Sequence, residues 1–181
     1  MRITCCSAYS AGLIVKPTVP EPHLDAAAAW LDLGNWLEAN EELERLPAEL
    51  RAASQVLVLR CRIYAMALRW QDVEMIAEGA AATYPQEPSF CTHWSNAVYR
   101  QGRTREALEI VTTAALRFPR SLEVAYSVAC LNGASGNVAE ARKWLERVFE
   151  LANDPAKVKL KALDQPELAG VWRADGKAGK E

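Results

Sequence analysis

Ala39, Val73, Ala107 and Ala141 follow one another at a constant interval of 34 positions. Four other columns keep the same period. An acid stands immediately before each of the four (Glu38, Asp72, Glu106, Glu140), and Gly34, Leu68, Gly102 and Gly136 stand five positions earlier. Leu46, Ala80, Ala114 and Val148 come seven positions later, and Ala27, Cys61, Ser95 and Ala129 twelve positions earlier. Five columns at one period mark a repeat, and a unit of this length can bury its apolar face only by stacking on a neighbour.

Each unit reads as two helices. In the third, Ser89 is positioned to cap a helix running through Phe90, Trp94, Ala97 and Val98 to a stop at Gln101-Gly102. Thr104 then caps a second helix. Its Ala107, Ile110, Val111 and Ala114 recur at i, i+3, i+4 and i+7, with Leu108 and Ala115 beside them, and Pro119 ends it. The small-residue columns let paired helices approach closely. The expected fold is all-α, a solenoid of about four helical hairpins with a C-terminal capping helix.

The expected boundaries are a flexible tail over 1–19, an array over 20–155 in units 20–53, 54–87, 88–121 and 122–155, a capping segment over 156–173 and a disordered tail over 174–181. Two irregularities stand out. Pro47 falls four positions early for a closing proline, so Ala48 to Leu68 is expected to form one long helix opened by that proline. Asn132-Gly133 lies where a helix should still run, so the fourth unit's first helix is expected to fray or stop early. Near the end, Asp164 with Pro166 marks a short last helix whose Leu168, Val171 and Trp172 form one apolar edge that closes the stack.

The third unit supplies Ala107, Val111, Ala114 and Pro119, the second Tyr64, Val73, Ala77, Ala80 and Pro85, and the fourth Ala141, Leu145 and Val148. At these spacings the chain resembles the tetratricopeptide repeat (W-x2-L-G-x2-Y, then A-x3-F, A and P). It is similar in particular to a kind of small bacterial tetratricopeptide protein that ends in a leucine-and-tryptophan tail. The resemblance implies that the first helix of each unit lines a concave surface that holds a peptide. The groove positions it implies are Gln55, Val58, Arg62 and Met66 in the second unit. They continue with Ser89, Thr92, Asn96, Tyr99 and Arg100 in the third, and Glu123, Tyr126 and Cys130 in the fourth. The clamp by which chaperone-binding members hold a C-terminal carboxylate is not reproduced, because Leu24 and Ala28 stand where its Lys and Asn would be.

The chemistry-bearing residues offer no catalytic set. Cys91 and His93, two apart on a helix, point about 200° away from each other. His23, the other of the two histidines, lies near the opposite end of the array. No phosphate-loop, metalloprotease or nucleophile-elbow motif occurs, so no catalytic residue, metal ligand or cofactor is expected. The six tryptophans fit packing positions.

A net charge of −2 argues against nucleic acid as a partner, since only Lys157, Lys159 and Lys161 gather positive charge. No apolar run is long enough to span a membrane. The five cysteines form no C-x-x-C pair and suit free thiols in a cytoplasmic setting. Met1 to Val15 has the outline of an export signal, but Cys5, Cys6, Ser7, Tyr9, Ser10 and Gly12 interrupt its apolar stretch. The leading expectation is an adaptor that binds an unidentified protein or peptide in its groove. The alternatives are a self-associating structural protein, pairing as a homodimer, and a tetratricopeptide-type secretion chaperone.

Overall fold

The computed structural model describes residues 21–178. The expected tail over 1–19 and residues 179–181 lie outside them. Among the described residues there are ten α-helices and no strand. They are α1 (Glu21–Asp32), α2 (Trp36–Glu44), α3 (Ser54–Met66), α4 (Trp70–Thr83) and α5 (Pro88–Arg100), then α6 (Thr104–Arg117), α7 (Leu122–Ala134), α8 (Val138–Leu151), α9 (Pro155–Leu163) and α10 (Ala169–Ala178). None is long and apolar enough to cross a membrane.

From α1 to α8 each helix packs on its neighbours in sequence, and the odd-numbered helices also pack on one another, α1 on α3, α3 on α5 and α5 on α7. These odd helices form a continuous inner layer. The small-residue columns sit at its contacts. Ala27, Cys61, Ser95 and Ala129 are buried on the odd helices, facing buried Ala39, Val73, Ala107 and Ala141 on the even ones. A bulky side chain at any of these positions would hold two helices apart.

The periodic glycines are explained by the hairpin turns. Gly34, Gly102 and Gly136 adopt φ of 77°, 84° and 78°. In each turn that residue's N–H and the next one's reach back to the preceding helix, as in Gly102 N to Tyr99 O (2.9 Å) and Arg103 N to Val98 O (3.2 Å). This is the helix-ending motif that needs a left-handed residue. Leu68 fills the same place in the second hairpin with φ of 57°, and its side chain is 71% exposed. A left-handed leucine is strained by roughly 1–2 kcal/mol, and little burial offsets that strain here. Leu68→Gly is therefore expected to raise stability by about 1 kcal/mol after the extra entropy of glycine in the unfolded chain is subtracted. A denaturant melt that shows no gain would mean that the leucine makes a stabilising contact.

Several expectations are corrected. Ala48 to Leu68 is not one helix. Ala48–Leu50 is a 3₁₀ turn that drops Leu50 into the core, and α3 starts only at Ser54. Arg51 Nε donates to the Leu46 carbonyl (2.8 Å) and Tyr84 Oη to the Ala52 carbonyl (2.7 Å). These bonds hold the link in a bend that a continuous helix could not make.

The fourth unit's first helix does not stop early, because α7 runs through Asn132 and Gly133 to Ala134. Neither Ser89 nor Thr104 is a cap. Glu87 precedes α5, with Pro88 in its first turn and Ser89 Oγ donating to Glu87 Oε1 (2.7 Å). Arg103 precedes α6, since the hairpin is so tight that the residue closing one helix also opens the next. Asp164 ends α9, a 3₁₀ turn over Pro166–Leu168 follows, and α10 opens only at Ala169.

Candidate functional site in the inner layer

The inner layer carries two depressions. One, of about 380 Å³, lies at the N-terminal ends of α1, α3 and α5 and is lined by Leu24, Ala28, Val58 and Leu59 with Asp25, Gln55 and Glu87 among its polar residues. The other, of about 430 Å³, has α5 and α7 as its floor and the segment from α9 to the 3₁₀ turn as its far wall. Thr92, Asn96, Tyr99, Arg100 and Tyr126, proposed from sequence at groove positions, all line this second depression. Val58 lines the first, while Arg62 and Met66 line neither.

The far wall was not foreseen. Val158, Lys161, Gln165 and Glu167 come from the C-terminal segment, which was expected only to close the end of the stack. Glu167 has a side chain only 9% exposed, with Oε1 3.9 Å from Arg100 Nη2. Gln165 Nε2 donates to its other oxygen. Arg100, expected at a groove position, thus already faces a carboxylate from its own chain. Lys161 Nζ sits 5.4 Å from the centre of the Tyr126 ring, within cation–π range. Thr92 is buried, with Oγ1 donating to Glu123 Oε1 (2.6 Å), so it ties α5 to α7. The open polar groups of the floor are Asn96, the outer part of Arg100 and the Glu123 carboxylate.

The electrostatics of the floor favour neutral side chains. Burial, then the Arg62 charge, pull the His93 imidazole down to about 4, so it is neutral at ordinary pH. His93 lies half-buried against the floor. Burial pushes the Cys130 thiol up to about 12, and burial followed by the neighbouring Glu167 raises the Tyr99 phenol. Cys91 is half-buried and its thiol is likewise raised by burial. A thiol held protonated is a poor nucleophile. Among the described residues no three His, Cys, Asp or Glu side chains gather where a metal ion could be held. The floor can offer hydrogen bonds, aromatic faces, the Arg100 guanidinium and the Glu123 carboxylate to a polar segment.

Neither a family model nor a curated protein matches the sequence. Among solved structures the chain is similar to a thermophilic TPR protein of Thermus thermophilus, with a TM-score of 0.64. The fold is of the tetratricopeptide type. The likeness covers 89% of this chain and 92% of that one at 19% sequence identity, and it establishes the architecture alone. Function has to be argued from the site.

Proposed function

We propose that this tetratricopeptide-type stack is a protein-interaction scaffold that holds a segment of a partner protein along its inner layer. What supports this most is the convergence of Asn96, Tyr99, Arg100 and Tyr126 on one depression, beside the more apolar one at Leu24, Ala28 and Val58. Arg62 lies on α3 one turn beyond Val58. Its guanidinium is 3.9 Å from Asp32 and half exposed, so it can exchange that weak pair for a carboxylate on the partner. The segment would run from the apolar end past Arg62 to Asn96 and stop against the wall made by α9. A cytoplasmic setting goes with this function, since Cys61, Cys91 and Cys130 are free thiols.

The test is affinity capture of the partner by the full chain, followed by titration of Arg62→Glu and Asn96→Arg. Both side chains are exposed, so each variant should keep its melting curve within about 0.5 kcal/mol. Each should weaken binding about tenfold or more, a loss of at least about 1.4 kcal/mol. Partner affinity unchanged in both variants would place the interaction on another surface.

A further inference from the structure

Helix α9 is nine residues long, too short to persist in water without support from packing. Yet Ala162 is its only buried residue, and its inner side borders the 430 Å³ depression. Its outer side carries Ala156, Leu160 and Leu163 at i, i+4 and i+7, one stripe of a helix. Leu160 is 66% exposed and Leu163 49%. Three lysines flank the stripe, Lys159 on one side and Lys157 and Lys161 on the other, by the 100° step of the helix. Lys161 leans inward to Tyr126, while among the described residues no carboxylate pairs with Lys157 or Lys159. Asp154 and Asp164 cap the ends of α9, so the helix and its caps carry three lysines against two carboxylates, an excess of positive charge beside exposed leucines in a chain of net charge −2.

We propose that the outer face of α9 docks an acidic amphipathic helix of a partner protein, with apolar side chains on Leu160 and Leu163 and carboxylates on Lys157 and Lys159. The stripe is about 11 Å long, which matches about two turns of a partner helix. A second copy of this chain fits poorly, because a two-fold axis at α9 would set lysine against lysine. A membrane surface would call for a longer apolar face with aromatic side chains. This surface is separate from the inner-layer depressions, so it stands or falls independently of them.

The test uses the full chain and two fluorescent helical peptides of identical leucine pattern, one with Glu and one with Lys at every other position. The Glu/Leu peptide is expected to bind at least about tenfold tighter than the Lys/Leu peptide. The double variant Lys157→Glu, Lys159→Glu should reverse that preference, and Leu160→Ser should weaken binding of the Glu/Leu peptide about tenfold. All three side chains are exposed, so a circular-dichroism melt should be unchanged. Absence of Glu/Leu binding, or a preference that survives charge reversal, overturns the proposal. Binding to phosphatidylserine vesicles in place of the peptide, or self-association abolished by Leu160→Ser, overturns it in favour of a lipid surface or a second copy. Partner capture that fails in Asn96→Arg while the peptide preference persists would separate the two surfaces.

Discussion

Gly133→Ala is expected to destabilise the protein by about 2 kcal/mol, although helix propensity alone predicts the opposite. Glycine inside a helix costs about 1 kcal/mol relative to alanine, and Gly133 lies inside α7. A Cβ at that position would stand 2.3 Å from the Glu167 carbonyl oxygen, 3.1 Å from its carbon and 3.3 Å from Leu168 Cδ2. The first two are backbone atoms of a turn whose Leu168 is fully buried, so the neighbour cannot swing aside as a flexible side chain would. Either α7 or the turn must shift, and overpacking of this kind costs roughly 1–3 kcal/mol or more, which outweighs the propensity gain. Urea denaturation gives the sign directly, and amide exchange over 162–172 should accelerate. A variant as stable as the parent or more so would mean that the turn is not seated on α7.

The same glycine shows how much the sequence alone could reveal. The stack was legible because its determinants are local and repeated: a small residue where two helices touch, a glycine where a hairpin needs positive φ, an apolar stripe at helical spacing. The path between the second and third helices was not legible, since the bend depends on Arg51 and Tyr84 reaching carbonyls that the chain order does not place beside them. At Gly133 propensity suggested a weak helix, whereas the cause is tertiary, the close approach of another backbone. An unexpected glycine in a helix is a signal for such an approach, and here it could have pointed to the 3₁₀ turn.

The candidate site was legible on the floor and hidden on the wall. Periodicity assigns Asn96, Tyr99, Arg100 and Tyr126 to first helices of their units, and those helices do line one layer. Nothing periodic precedes Glu167, whose partners Arg100 and Tyr99 lie more than sixty positions upstream. An acid between Pro166 and Leu168, in a segment otherwise suited to burial, was the available clue. A nearly buried carboxylate needs a cation or hydrogen bonds.

A chain ending at Pro155 should lose several kcal/mol, and the loss should be confined to one end. Leu168 and Val171 are fully buried against Ala129, Ala141 and Leu145, with Ala162 beside them and Trp172 Nε1 donating to the Ala162 carbonyl (3.1 Å). Burying a leucine or valine contributes about 1.5–3 kcal/mol, so these two alone supply about 3–6 kcal/mol, partly offset by the entropy of ordering the segment. In a stack where each unit touches only its neighbours, the damage stays near the cut. Amide protection should fall in α7 and α8 and remain in α3 and α4, and the melting midpoint should drop by on the order of 10 °C. A truncated chain that melts like the full one would remove the capping role. The two variants also bear on each other. With the turn absent, nothing stands over Gly133, so Gly133→Ala in the truncated chain should become stabilising by about 1 kcal/mol. That change of sign would be a coupling of about 3 kcal/mol between two segments more than thirty residues apart, assigned by a double-mutant cycle to one backbone contact.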